Sequence, residues 1–147
     1  MSIILDCRTF WLDPRYSQLS DSHCVAFGQL PRLKHLNLES NQIHDFGVQY
    51  LGQCVALTEL NLNWNFIGLE GVRYLTTLTK LTCLGIRNAK LYSQLQLQEA
   101  VSCLALLGRL EVLNGSNIYN SRLGVITKVG MSDLDGVMAR WFGILKL

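Results

Sequence analysis

A repeat of 24 residues constrains this chain more than any other feature. Segments beginning at Leu33, Leu57 and Leu81 read LKHLNLESNQIHDFGVQYLGQCVA, LTELNLNWNFIGLEGVRYLTTLTK and LTCLGIRNAKLYSQLQ. Leu36, Leu60 and Leu84 coincide, as do Leu38, Leu62 and Ile86. Asn41 coincides with Asn65, Ile43 with Ile67, Gly47 with Gly71, and Leu51 with Leu75. A unit this short cannot enclose a core alone, so its apolar face must be covered by the next unit and the chain must stack.

The spacing inside each unit says how. In L-x-x-L-x-L the last two leucines are two residues apart, which places them on one side of a short strand, buried against the stack. Asn41 and Asn65 fall where the chain leaves the strand. An amide carries both donor and acceptor, so it can satisfy backbone groups that a tight bend leaves unpaired. Val48 with Leu51, and Val72 with Leu75, then follow at helical spacing.

The pattern L-x-x-L-x-L-x-x-N-x-I, followed by Gly and Leu, resembles that of leucine-rich repeats over residues 33 to 91. The 24-residue length and the GVxYL after each isoleucine are similar to the ribonuclease-inhibitor-like and GALA-type subclasses. That resemblance implies an α/β leucine-rich-repeat solenoid of about four right-handed repeats, with parallel strands on the concave face and helices on the convex face. Upstream, LSDSHCVAFGQL (19–30) reads as the convex half of an earlier repeat, with His23 in the glycine position. SIILDC is expected to be its strand and RTFWLDPRYSQ an insertion with a proline-marked turn.

The third repeat departs from the pattern. Ala89 stands where the asparagine belongs, and Asn88, one place earlier, is a candidate substitute. In the longer convex part, Leu97, Val101, Leu104 and Leu107 share one face of a predicted helix of about 12 to 14 residues. The run Leu107, Leu110, Leu113, Asn114, Gly115 resembles the cap closing several eukaryotic repeat arrays. The expected organisation is a repeat domain over 1–131, with a cap-like segment near 107–118, and a helix over 132–147.

In that final segment, SDLDGVMARWFGILKL, Ser132 suits an N-cap and Asp133 and Asp135 suit the first turn of a helix. Leu134, Val137, Met138, Trp141, Phe142 and Leu145 follow i, i+3, i+4, i+7, i+8, i+11, an amphipathic helix. Its apolar face has three possible covers: the end of the stack, a partner's groove, or a membrane surface, to which Arg140 and Lys146 bring little charge.

Composition excludes several functions. The chain is 49% hydrophobic and 16% charged, short of charge for a lone soluble protein, which implies surface covered by a partner or by further chain. Its net charge of +2 comes from scattered basic residues, whereas nucleic-acid binding needs them clustered. The N-terminus lacks a basic n-region, and no apolar run reaches the roughly 18 residues of a spanning helix. Cys7, Cys24, Cys54, Cys83 and Cys103 are odd in number and lack CxxC pairs, which indicates buried free thiols in a reducing, intracellular setting, with the cytoplasm expected.

No nucleophile, zinc or phosphate-loop motif is present, and no cofactor is expected. His35 and Glu59, one repeat apart in one column, are expected to form a solvated pair rather than a catalytic or metal site. What the register does supply is a surface. Outward strand residues form columns: His35, Glu59, Cys83; Asn37, Asn61, Gly85; Glu39, Asn63, Arg87; and Ser40, Trp64, Asn88. Trp64 is the exception among small polar neighbours. It either covers the repeat edge against Phe66 or a turn, or anchors a partner. The expected function is a non-enzymatic protein-interaction module, a subunit or adaptor of a larger assembly. The alternatives are a regulator of a GTPase, tubulin or ubiquitin-ligase system, and a ribonucleoprotein component.

Overall fold

The computed structural model describes residues 10–110 with their side chains, and the backbone of 112–114 and 126–127. Short strands alternate with helices: β1 (Trp11–Leu12), α1 (Asp21–Gly28), β2 (His35–Asn37), α2 (Asp45–Leu51), β3 (Glu59–Asn61), α3 (Leu69–Leu75), β4 (Cys83–Gly85), α4 (Gln94–Leu104), β5 (Val112–Asn114) and β6 (Ile126–Thr127). They form one six-stranded sheet in sequence order. β1 to β5 pair in parallel, and β6 joins β5 antiparallel. The helices pack on one another in the same order.

The core is a set of columns, each filled by one position of the repeat. Leu36, Leu60 and Leu84 stack, as do Leu38, Leu62 and Ile86, and all are buried. Leu30, Cys54, Leu78 and Leu107 make another such column, and Cys24 stands in line with Val48 and Val72. Two of the odd cysteines are therefore small apolar fillers at leucine and valine positions.

Two sequence expectations are corrected. The strand of the first described repeat is Trp11–Leu12, inside the stretch expected to be an insertion. Trp11 faces His35 and Leu12 faces Leu36. The Phe10 carbonyl accepts from the Lys34 and His35 amides, just as the Lys34 carbonyl accepts from Thr58 and Glu59. The 24-residue register therefore extends back through Leu12, in line with Leu36, and Leu19, in line with Ile43. The variant spelling, with Pro14 in place of Leu38, hid it. SIILDC itself lies outside the described residues.

The second correction concerns α4, which has 11 residues rather than 12 to 14. Ser93 caps it, accepting from the Gln96 amide at 3.2 Å, while Gln96 Oε1 accepts from the Ser93 amide. Leu107 is buried in the turn that follows, not on the helix. The cap-like run supplies a further strand, with Leu113 facing Leu84. The predicted helix with Leu134, Val137, Met138, Trp141, Phe142 and Leu145 lies outside the described residues.

Asparagine holds the bends after β2 and β3 to the preceding repeat. Asn65 Oδ1 accepts from the Ile43 amide (3.0 Å), and its Nδ2 donates to the carbonyls of Leu38, Leu62 and Asn63. Asn41 accepts from Ser17 and Leu19 and donates to Pro14, Leu38 and Glu39. At the bend after β4, Ala89 has no side-chain amide to offer. Backbone bonds close it, from Ala89 to the Ile86 carbonyl and from Lys90 to that of Ile67. Asn88 serves the turn in another way, by adopting a positive φ.

On the convex side a second ladder explains the repeat glycine. Asp21 Oδ1 accepts from the His44 amide at 2.7 Å, and Asp45 Oδ1 from the Gly68 amide at 2.6 Å. A Cβ on Gly47 would lie 2.5 Å from Asp21 Oδ1, and one on Gly71 2.5 Å from Asp45 Oδ1. Leu69 replaces the aspartate in the next unit, and Leu95 replaces the glycine with it.

Asn65→Ala leaves the Ile43 amide unpaired in a buried site and should lower unfolding free energy by about 2–3 kcal/mol in urea. In Gly71→Ala the new methyl meets Asp45 and Ile67. A cycle with Asp45→Ala should show the two losses falling short of additivity by about 1 kcal/mol.

Candidate functional site

The concave face is built from the outward positions of β1 to β4 and the bends that follow. The columns expected from the sequence are present. His35 faces Glu59, which faces Cys83; Asn37 faces Asn61, which faces Gly85. The first strand adds Trp11 beside His35, and Trp11 is 58% exposed.

Hydrogen bonds fix much of this surface. Asn37 Oδ1 accepts from the Glu39 amide, and Asn61 Oδ1 accepts from the Asn63 amide. Asn61 Nδ2 donates to Glu39 Oε2 at 3.1 Å, and the Arg87 amide donates to Asn63 Oδ1 at 2.7 Å. Gly85 is required here, because a Cβ would meet Asn61 Oδ1 at 2.7 Å. His35 Nδ1 lies 3.1 Å from Glu59 Oε2, with more than half of the Glu59 side chain exposed, so the pair is a solvated surface contact. A groove of about 370 Å³ runs along the face, lined by Trp11, Asp13, Asn37, Glu59, Asn61 and Cys83.

Beside these columns runs one with an unusual backbone. Tyr16, Ser40, Trp64 and Asn88, each 24 residues from the next, all have φ between 55° and 67°. Only small or amide side chains take this left-handed conformation easily; for an aromatic residue it costs about 1–2 kcal/mol. The turn demands it, because each amide must continue the ladder to the next repeat: Tyr16 to the Glu39 carbonyl, Ser40 to that of Asn63, Trp64 to that of Arg87.

Trp64 is 46% exposed. Phe66, the neighbour expected to cover it, is engaged elsewhere. Its ring stacks on His44 with centroids 5.0 Å apart, and Lys90 Nζ sits 5.3 Å from its centroid. Among the described residues no ring stacks on Trp64. Trp11, Asp13 and Tyr16 were missed in the sequence, though counting back 24 residues from His35, Asn37 and Ser40 reaches each of them.

Among the described residues no group of His, Cys, Asp and Glu could hold a metal, and no helix is long and apolar enough to cross a membrane. Cys24, Cys54, Cys83 and Cys103 are free. Burial pushes the Cys24 and Cys54 thiols up to about 12. Cys83 and Cys103 are also raised, first by burial and then by Glu59 and Glu99 respectively. None has the electropositive setting that activates a thiol.

A stack of parallel strands on one side and helices on the other, with a polar outward strand face, defines a repeat solenoid. A family model described as "Leucine rich repeat" matches residues 12–67, so that region of the chain is similar to leucine-rich repeats. An internalin (inlF) from Listeria monocytogenes is similar, with a TM-score of 0.52 and 28% identity over 65% of this chain. The match spans 25% of the internalin chain, so this chain covers about a quarter of that protein's length. Leiomodin-1 actin-binding site 2 shares the fold, with a TM-score of 0.62 and 19% identity over 77% of this chain and 73% of its own. No curated protein matches in sequence. Leucine-rich-repeat domains generally bind proteins, on the extended concave surfaces that stacking creates.

Native-state alkylation near pH 8 should label Cys83 and Cys103 well before Cys24 and Cys54, read by mass spectrometry. The folded thiols titrate above the ordinary value of 9.0, so the stability they contribute is complete below pH 9. It should fall as pH rises from there toward 12.

Proposed function

We propose that this chain is a non-enzymatic protein-interaction module, a subunit or adaptor in a larger assembly. It engages its partner through His35, Asn37, Glu39, Ser40, Glu59, Asn61, Asn63, Trp64, Arg87 and Asn88 on the concave face. The C-terminal segment 132–147 offers a second docking element. No small-molecule substrate or cofactor enters this reading. The repeat domain of 1–131 is the scaffold, and its partner is a protein.

One observation carries the proposal. Trp64 is a large aromatic residue, nearly half exposed, at a left-handed position that glycine or asparagine would occupy more cheaply. The left-handed backbone costs folding free energy, and the exposed part of the ring is free to meet a partner. Tryptophans ringed by polar groups are typical of the residues that carry most of a binding energy. The surrounding asparagines are held by hydrogen bonds, so little side-chain entropy is lost on binding.

With the partner recovered by cross-linking and purification, Trp64→Ala should weaken binding by about 2 kcal/mol, roughly thirtyfold, in calorimetry. The melting temperature should hold. Unchanged affinity would remove Trp64 as the anchor.

A further inference from the structure

We infer that the groove along the strand face is a seat for an arginine side chain of the partner protein, held where Glu59, Asn61, Asn63 and Gly85 meet. This rests on the reading that the strand face binds a protein, and it names the chemistry of what is bound there.

The lining of the groove sets the charge of its occupant. No lysine or arginine lines it, and its two carboxylates are those of Asp13 and Glu59. Arg15 already holds Asp13, with Nε 2.9 Å from Oδ1 and a second nitrogen on Oδ2. Glu59 is different. His35 Nδ1 meets its Oε2 at 3.1 Å, and among the described residues no hydrogen bond reaches Oε1. More than half of the Glu59 side chain is exposed, so an incoming donor meets a carboxylate oxygen without displacing a partner.

Two amide oxygens stand beside that carboxylate. The Asn63 backbone amide donates to Asn61 Oδ1 at 3.0 Å, and the Arg87 backbone amide to Asn63 Oδ1 at 2.7 Å. Those N–H groups decide which side-chain atom is the oxygen, because an NH2 turned toward them would set donor against donor. Asn61 Nδ2 is meanwhile turned to Glu39 Oε2. Each carbonyl oxygen keeps a second lone pair. Both face the bare Cα of Gly85, where a Cβ would lie 2.7 Å from Asn61 Oδ1 and 2.9 Å from Asn63 Oδ1. Asn37 and Asn61 hold the same place in the two preceding strands, so glycine opens the groove at this one position.

Acceptors with no facing cation select a ligand rich in donors. A carboxylate or phosphate would set oxygen against oxygen, and an apolar side chain would leave the acceptors dry and unpaired. Arginine suits the arrangement better than lysine. Its planar fork of five donors reaches a carboxylate and an amide oxygen together, whereas an ammonium is a compact point charge.

The test uses the full chain as bait for a displayed library of random peptides, with binders resynthesised for calorimetry. Binders should share an arginine. Replacing it by citrulline, which keeps the shape and removes the charge, should weaken them at least about tenfold. Glu59→Gln should lose a similar factor and melt with the wild type, because that side chain is largely solvated. Gly85→Ala, whose methyl presses on both asparagine oxygens, should weaken the same binders. Binders that tolerate citrulline or Glu59→Gln, or that carry lysine instead, would overturn the arginine seat. If Trp64→Ala still weakens those binders, the strand face remains the binding surface. Indifference to Glu59→Gln and to Trp64→Ala alike would overturn both readings, and a library without binders would reject the arginine seat.

Discussion

The bend asparagine is the interaction on which the rest depends. A strand of three residues followed by a sharp turn leaves amides and carbonyls pointing into a dry stack, where an unpaired polar group costs far more than a hydrogen bond gains. Asn41 and Asn65 answer this with a side chain that accepts and donates at once. Both reach back across the interface to the preceding repeat as well as to their own turn. Each therefore fixes a bend and joins two units, so the leucine columns stay in register.

The aspartate and glycine of the convex side perform the matching task at the helix starts. The carboxylate accepts from the N-cap amide of the next helix, and the glycine leaves it room. With both faces of the bend satisfied, outward strand positions such as His35 and Glu59 are released from structural duty, while Asn37 and Asn61 still hold backbone amides. That freedom lets the concave face carry His35, Glu59, Arg87 and Trp64 without loss of the core. It also lets two aromatic residues occupy left-handed positions, since the ladder on either side over-determines the backbone there.

Most of the repeat region was legible because its two periodicities are simple. Leucines two apart reported the strands, and Val48 with Leu51 or Val72 with Leu75 reported the helices. The outward columns followed from register alone. The first repeat was misread because Pro14 replaces a leucine and Ser17 an asparagine, so the pattern was present only as Leu12 and Leu19. The burial of Leu107 was foreseen, but its place in a turn was not, since a buried leucine after a helix has the same sequence signature as one on it.

The sequence by itself determined the period, the buried columns and the concave-face residues of the three repeats that begin at Leu33. These follow from side-chain direction, which is a local property of strand and helix. The tertiary structure decided what no single repeat contains. It set the sign of φ at Trp64, the engagement of Phe66 by His44 and Lys90, and the return of Trp11 and Tyr16 to the strand face and its edge. Each of these depends on contacts between units, and the spacing of residues along one unit carries no record of them.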